Sequence, residues 1–428
     1  MNRKLMSLTL AIALAVTMLM GVCASAEAKP FEGVTITFWG GQAELNPGTL
    51  AVIEAAEEAL GLHVETEINP GGSEGDNLLK TRIASNDLPD LMVYNSGSKL
   101  YDLNPSRCFL DIKDWDLVSR VDDAFLSSVT IDGAVYGLPQ SSTQAGAIIY
   151  YKPDYEELGL EVPHTWAEFV DNCAKLKEAG KTPIELTAGD TWTTQVLFLG
   201  DYYNINAEYP TFAEEYTEGK AKYADIPVAT RSWTKYEDLV DYLNADKSAA
   251  TVQDGNFAIG TGEATHWFIL TQQLPLITAE ADDQSQIGVF GVPGDDPDNH
   301  GLTVWEPMSF YVWKDSQNID AVKAFLDFYF SEEMLNLYFE TYGANGPSCI
   351  KGYTLPETVC DAVRVDMQQY FDAGKTCPAL EYVSPIKGTA CEQLTTAVAM
   401  GQMSGADAAK DYDEDCKKSA VQLGYNWE

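Results

Sequence analysis

The chain has 428 residues, 45% hydrophobic and 21% charged, the composition of a globular protein and not of a disordered one. Its 65 Asp and Glu outnumber 27 Lys and Arg, and the net charge of −38 opposes binding to nucleic acid or anionic lipid. The length calls for two or three domains, and no linker or repeat divides it.

Residues 1–26 predict an export signal. Arg3 and Lys4 give a basic start, Leu5 to Val22 is an uncharged apolar run, and Ala24, Ala26 and Ala28 supply an A-x-A cleavage site. A lipoprotein would be lipidated at Cys23, but Val22 stands where Gly, Ala or Ser is wanted before the cysteine. No later stretch approaches the roughly 20 apolar residues of a membrane helix. The mature protein is therefore expected outside the cytoplasmic membrane. Beyond Cys23 there remain Cys108, Cys173, Cys349, Cys360, Cys377, Cys391 and Cys416. None sits in a C-x-x-C pair, and an odd number cannot all pair internally. Disulfides among the last five and free buried thiols are both compatible with the spacing.

"VTITFWGG" (34–41) is a β-branched and aromatic run ended by glycines, a first strand. "TLAVIEAAEEALG" follows as an amphipathic helix stopped at Gly61. "HVETEI" reads as a strand, "DNLLKTRIAS" as a helix capped by Asp76, and "DLMVY" as a third strand. This β-α-β-α-β order implies a parallel sheet covered on both faces. "AVYGLP" and "AIIYY" are strands flanking the polar stretch from Gln140 to Ala145. "PHTWAEFVDNCAKLKEAG" is a helix with Thr165 and Glu168 as a capping box. "TPIELTAG" is a strand, and "TTQVLFLGDYY" and "KYEDLVDYLNAD" are helical. "NFAIGTGEATHWFI" reads as a short strand, a glycine turn and an aromatic tip. "IGVFGVPG" and "TVWEPMSFYVW" have strand character. Two helices follow, the second capped by Ser331, and a last helix opens at Ser404. An unbroken β/α alternation too long for one core predicts an α/β fold of two lobes joined by short crossovers.

Seven of these pieces, taken in order, resemble the extracellular solute-binding proteins of ABC importers, of the maltose-binding-like type. They are "ITFWGG", "RIASNDLPDLMVYNSG", "DGAVYGLPQSSTQAGAIIYYK", "LGLEVPHTWAEFVDNCAKL", "NFAIGTGEATHW", "GVFGVPG" and "DAVKAFLDFYFSEE". The resemblance covers nearly the whole mature chain. It implies a type II periplasmic-binding-protein fold, with two α/β lobes, a cleft between them and three hinge crossovers near 141–144, 293–298 and 343–349. One lobe would be 31–141 plus 297–345, the other 142–296 plus 346–428. The implied function is capture of a carbohydrate, usually an oligosaccharide, for delivery to a separate membrane permease. The protein would act as a monomer, without cofactor or metal.

In open α/β sheets ligands bind beyond the carboxyl ends of the strands. That rule selects Trp39, Gly41 and Gln42; Tyr94, Asn95 and Ser96; Gln144; Asp190 and Trp192; Trp267; and Trp305 with Glu306. Aromatic faces suit the C–H face of a sugar, and amides, hydroxyls and carboxylates suit its hydroxyl rim. By the resemblance, Trp267 takes the place of a ligand-stacking tryptophan and Gln144 that of a polar contact in the first crossover. Each aromatic has a packing alternative: Trp39 and Tyr94 can lie in the sheet core, and Trp267 beside the hinge. His266 should turn away from its neighbour by strand alternation, and Trp166, just after a cap, is structural.

"DDPDNHGLTVWE" is not an EF-hand: counted from Asp296, position five is His300 and position twelve is Pro307 where a bidentate Glu is required. No H-E-x-x-H and no full phosphate-binding G-x-x-x-x-G-K-[ST] occurs; "GGSEG" (71–75) fits the G-x-S-x-G spacing by itself, but with only four scattered histidines base-activated nucleophilic catalysis is not expected. The rival from another class is a secreted glycoside hydrolase, which needs two carboxylates across a cleft; the motif order argues against it. Within the binding class, a peptide or polyamine is the alternative solute.

Overall fold

The computed structural model describes residues 29–427. The expected export signal and Cys23 lie outside the described residues. Among the described residues no helix is long and apolar enough to cross a membrane.

The first lobe is built on a five-stranded sheet. Its first strands are β1 (Thr35–Gly41), β2 (His63–Asn69) and β3 (Leu91–Tyr94), with β1 parallel to both others. The helix Pro47–Leu60 connects the first two. Asn46 caps it by accepting the Thr49 N–H at 3.0 Å, Pro47 occupies the first turn, and Gly61 closes it at φ 78°. Its buried face, Val52, Ile53 and Ala56, lies on the core. Gly48 lets it press on the helix Glu332–Tyr342, since a Cβ there would sit 2.8 Å from the Tyr338 carbonyl oxygen. All four residues of β3 are buried, as a strand covered on both faces requires.

A small hairpin, β4 (Thr130–Ile131) with β5 (Ala134–Val135), precedes β6 (Gly137–Pro139). The second sheet is organised around β7 (Gln144–Tyr151). One edge of β7 pairs with β9 (Ala264–Leu270), which in turn pairs with β8 (Thr182–Glu185). The other edge is shared: its outer part holds β10 (Ile287–Gly291), and its start holds β11 (Leu302–Trp305). The strand β12 (Ser309–Val312) returns to the first sheet between β3 and β6, and β13 (Thr376–Pro378) completes the second beside β11. Side-chain alternation along β7 splits the core. Ala145, Ala147 and Ile149 join the apolar cluster that runs through the first lobe, while Ile148 and Tyr150 join a separate aromatic-rich cluster on the opposite face.

The crossovers follow from sheet membership. The first, 140–143, lies within a residue of its expected place. The second does not lie at 293–298. Strand β11 is bonded into the second sheet, with Trp305 opposite Gln144, and β12 into the first, with Ser309 opposite Tyr94. The switch therefore occurs at 306–308, and residues 297–305 belong with the second lobe. The cause is Pro307, which has no N–H for a ladder and splits "TVWEPMSFYVW" into two strands. The third passage runs beside the first: Thr143 donates from N and Oγ1 to the Pro347 carbonyl at 3.0 and 2.8 Å, and Asn345 N donates to Ser142 Oγ at 3.0 Å. The chain then touches the first lobe again, through the Val121–Ile350 bridge, so its transfer is not complete at residue 346.

The capping boxes and caps at Thr165, Ser331 and Ser404 form as expected. Three local expectations do not hold. Asp76 lies inside the helix Gly72–Ser85 instead of capping it, and Glu237–Tyr242 is a 3-10 turn. Residues Val252–Thr261 form a helix, started by a Thr251–Asp254 capping box and stopped by Gly262 at φ 76°. The seven described cysteines are buried free thiols.

Within the second lobe, Lys235 and Asp201 form an ion pair in which each side chain is only 1% exposed. The Lys235 ammonium also donates to the Pro293 carbonyl at 2.7 Å and lies 4.9 Å from the Trp166 ring centroid. Removing one partner leaves a buried charge uncompensated, so Lys235→Met should destabilise the fold by about 3–5 kcal/mol. Urea denaturation measures this directly; a loss below about 1 kcal/mol would show that the pair is not needed.

Candidate functional site

Two sets of strand ends face each other where the crossovers pass. The first sheet contributes the ends of β3 and β6 and the start of β12; the second contributes the start of β7 and the ends of β9, β11 and β13. Between them lies a cavity of about 100 Å³. Asn95, Ser96 and Lys99 line it from the first lobe, Gln144 from the start of β7, Trp305 from the end of β11, and Glu306, Pro307 and Met308 from the second crossover. Glu381 and Tyr382 complete it from the short helix Leu380–Val383.

Local geometry explains each placement. After β3 the chain turns at Gly97, with φ 66°, and its N–H donates to the Ser128 carbonyl at 2.9 Å. The missing Cβ matters, because one at Gly97 would lie 2.7 Å from the Tyr382 ring of the other lobe. Tyr311 Oη donates to the Asn95 carbonyl at 2.9 Å and fixes that turn from below. Trp305 packs its ring over Gly146 and donates its indole N–H to the Glu381 carboxylate. Glu381 also accepts from Lys387 at 2.8 Å. Burial works against its charge, but Lys387 and the two hydrogen bonds hold its carboxyl below the usual range. Tyr382 Oη donates to the Glu306 carbonyl at 3.3 Å, tying the helix to the crossover.

The electrostatics single out Glu306. It is 7% exposed, and its Oε2 has no hydrogen-bond partner. Burial, and secondarily the charge of Asp122, push its carboxyl up from 4.5 to about 8. Ser96 Oγ and Gln144 Oε1 are likewise buried without a partner. Unpaired buried polar atoms are rare in folded proteins, and three on one small cavity need an explanation. An occupant with hydroxyl groups supplies one.

The sequence profile of the family "bacterial extracellular solute-binding protein" matches residues 42–335. The chain belongs to this family. Among curated relatives, the multiple sugar-binding protein of Streptococcus mutans is 23% identical over 331 residues, spanning 74% of this chain and 76% of that one. The melibiose/raffinose/stachyose-binding protein MelE of Bacillus subtilis is 23% identical over 311 residues, 65% of this chain and 66% of that one. Among solved structures, RafE in complex with raffinose superposes with a TM-score of 0.75 at 20% identity, covering 90% of this chain and all of that one. A chitin oligosaccharide binding protein gives 0.74 at 19%, covering 91% and 99%. These likenesses establish the two-lobed α/β fold.

In this solute-binding protein the cavity gathers five of the twelve residues singled out by strand position: Asn95, Ser96, Gln144, Trp305 and Glu306. The others lie elsewhere. Trp39 is 1% exposed, inside the first lobe, with the Arg82 guanidinium 5.9 Å from its ring. Tyr94 is 4% exposed and donates its hydroxyl to Asp76 at 2.7 Å, so it anchors the sheet and presents no face to a ligand. Trp267 is in the middle of β9, not at a tip, and its ring fills the space beside Gly255 of the helix above. The carboxylate of Asp190 accepts the Val252 N–H at 2.8 Å at the start of that helix. Trp192 is half-buried against the core. Gly41 makes room for the Glu44 carboxylate, and Gln42 is exposed beside it. His266 turns to the opposite face of the sheet from Trp267, as expected, packing against Phe169 and Phe290 and bonded to Tyr155 Oη at 2.7 Å. Lys99, Glu381 and Tyr382 were not indicated by the strand-end rule; none follows a strand directly.

Glu306 is expected to make stability pH-dependent. Its folded-state pKa lies above the ordinary value, so the folded protein holds a proton that the unfolded chain releases. That contribution to stability is present below about pH 4.5 and is lost as pH rises through about 8. Glu306→Gln removes the titration. The melting temperature of the variant relative to wild type should therefore rise steadily across this window in a buffer series. Parallel curves would show that Glu306 is ionised or solvated throughout.

Proposed function

We propose that this protein captures a carbohydrate between its lobes and delivers it, without turnover, to the permease of an ABC importer outside the cytoplasmic membrane. The observation that carries this reading is the set of unpartnered polar atoms, Ser96 Oγ from the first lobe, Gln144 Oε1 from the start of β7 and Glu306 Oε2 from the second crossover, set beside Trp305 and Tyr382. Sugar hydroxyls both donate and accept, so they can satisfy an amide oxygen and a hydroxyl together. Aromatic walls cover the C–H faces. The charges in the cavity are largely self-neutralised: Lys99 pairs with Asp76 at 3.3 Å and Glu381 with Lys387. That favours a neutral, hydroxyl-rich solute over an anion. The sugar-binding relatives and the extracellular family support the same reading.

Closure is then a population shift. A solute that touches both rims favours the closed arrangement by its differential affinity for that state. The three crossovers are the segments able to bend.

The test is calorimetry and thermal unfolding with melibiose, raffinose, stachyose, and xylan- and chitin-derived oligosaccharides. A true ligand at a hundredfold excess over its Kd should stabilise the protein by about 2.7 kcal/mol, with the sugar recovered intact. Absence of any shift, or release of new reducing ends, would contradict the proposal.

A further inference from the structure

The lobes also touch each other directly, through protein atoms alone. On the first lobe the contact is Gly97, in the turn that follows β3. On the second it is the ring of Tyr382, in the helix Leu380–Val383. A Cβ on Gly97 would lie 2.7 Å from Cδ1 and 3.0 Å from Cε1 of that ring. Carbon atoms pack best at roughly 3.5–4.0 Å, so the ring edge rests on the bare Cα of Gly97 and no side chain fits between. The backbone makes a second, independent demand. Gly97 has φ 66° and ψ −137°, a conformation that strains any residue with a Cβ.

Both sides of the contact are braced by their own lobe. The Gly97 N–H donates to the Ser128 carbonyl at 2.9 Å, and the Gly97 carbonyl accepts the Tyr101 N–H at 3.1 Å. Tyr311 holds the preceding Asn95 carbonyl from the sheet below. Across the gap, the Ala379 N–H donates to the Val304 carbonyl of β11 at 2.8 Å, and Ser384 Oγ accepts from Thr217 at 2.7 Å, so the helix between them is fixed to the second lobe at each end. The Tyr382 hydroxyl, bonded to the Glu306 carbonyl, fixes the far end of the ring. Two rigid parts that meet through carbon atoms attract by removing apolar surface from water, with no ion pair to titrate.

We infer that Gly97 and Tyr382 form a latch that favours the closed arrangement of the lobes before any solute arrives, with Gly97 a positioning residue that acts through Tyr382. The latch sets affinity without adding a bond to the solute. A solute held by both lobes binds with its intrinsic constant divided by the fraction of molecules already closed, so loosening the latch at Gly97 weakens every solute by one common factor. The inference concerns the protein's own conformational balance and stands apart from the carbohydrate reading.

The experiment is small-angle X-ray scattering of wild type, Tyr382→Ala, Gly97→Ala and the double variant, all exhaustively dialysed into sugar-free buffer. Wild type should give the curve calculated from the present arrangement. Each single variant should show a larger radius of gyration, with a closed-to-open ratio lower by at least about tenfold. The double variant should be no more open than Tyr382→Ala, because both changes remove the same contact. Near-UV circular dichroism and the melting temperature separate opening from misfolding, and Tyr382→Ala decides the question if Gly97→Ala does not fold. Wild type as expanded as Tyr382→Ala, or Tyr382→Ala as compact as wild type, overturns the latch. Additive opening in the double variant overturns it too, since Gly97 would then act by another route.

Discussion

Three residues, 306–308, carry the chain from the last strand pairing of one sheet to the first of the other, and the site is a consequence of that short span. From Trp305 to Ser309 an extended chain covers at most about 14 Å. Trp305 is in register with Gln144, and Ser309 with Tyr94. The start of β7 and the end of β3 are thus held on opposite walls of one small space, whatever the helices around them do. The crossover itself is pressed into that space, which buries Glu306 and leaves its outer oxygen without a partner. Each such unsatisfied group costs roughly 1–3 kcal/mol. The two apolar clusters, one reaching from the first lobe onto a face of the second sheet, hold the arrangement against that cost.

Much of the fold is readable from residue order. The first three strands and two helices follow from residue period, with Gly61 ending the first helix, although the second helix starts ahead of the Asp76 cap read for it, and the first crossover follows from the polar stretch between two apolar runs. The second crossover is hidden because β11 and β12 look like one strand. Both are β-branched and aromatic, and only Pro307 marks that they lie in different sheets. The helix Val252–Thr261 is mistaken for a strand because Phe257, Ala258 and Ile259 are apolar in succession. Its Thr251–Asp254 capping box is the overlooked signal.

The site is legible in direction more than in detail. Strand ends do point to it, and Asn95, Ser96, Gln144, Trp305 and Glu306 converge there. Aromatics near strand ends are ambiguous, because successive residues of a strand face opposite ways and a shift of one position exchanges core for cleft. Trp39, Tyr94 and Trp267 fall on the inward side. Glu381 and Tyr382 are about 75 residues beyond the crossover they touch, a separation that only the folded chain closes. Their role is to complete a wall and to orient Trp305, and no local pattern announces it.

A crystal structure with the tightest-binding glycan tests the central claim most directly, because it shows which buried atoms the solute satisfies. The account predicts sugar hydroxyls within hydrogen-bond distance of Gln144 Oε1 and Glu306 Oε2, with Tyr382 against a ring face and both lobes in contact with the ligand. A sugar bound wholly to one lobe, or resting near Asp190 and Trp192 with Gln144 and Glu306 still unpaired, would contradict it.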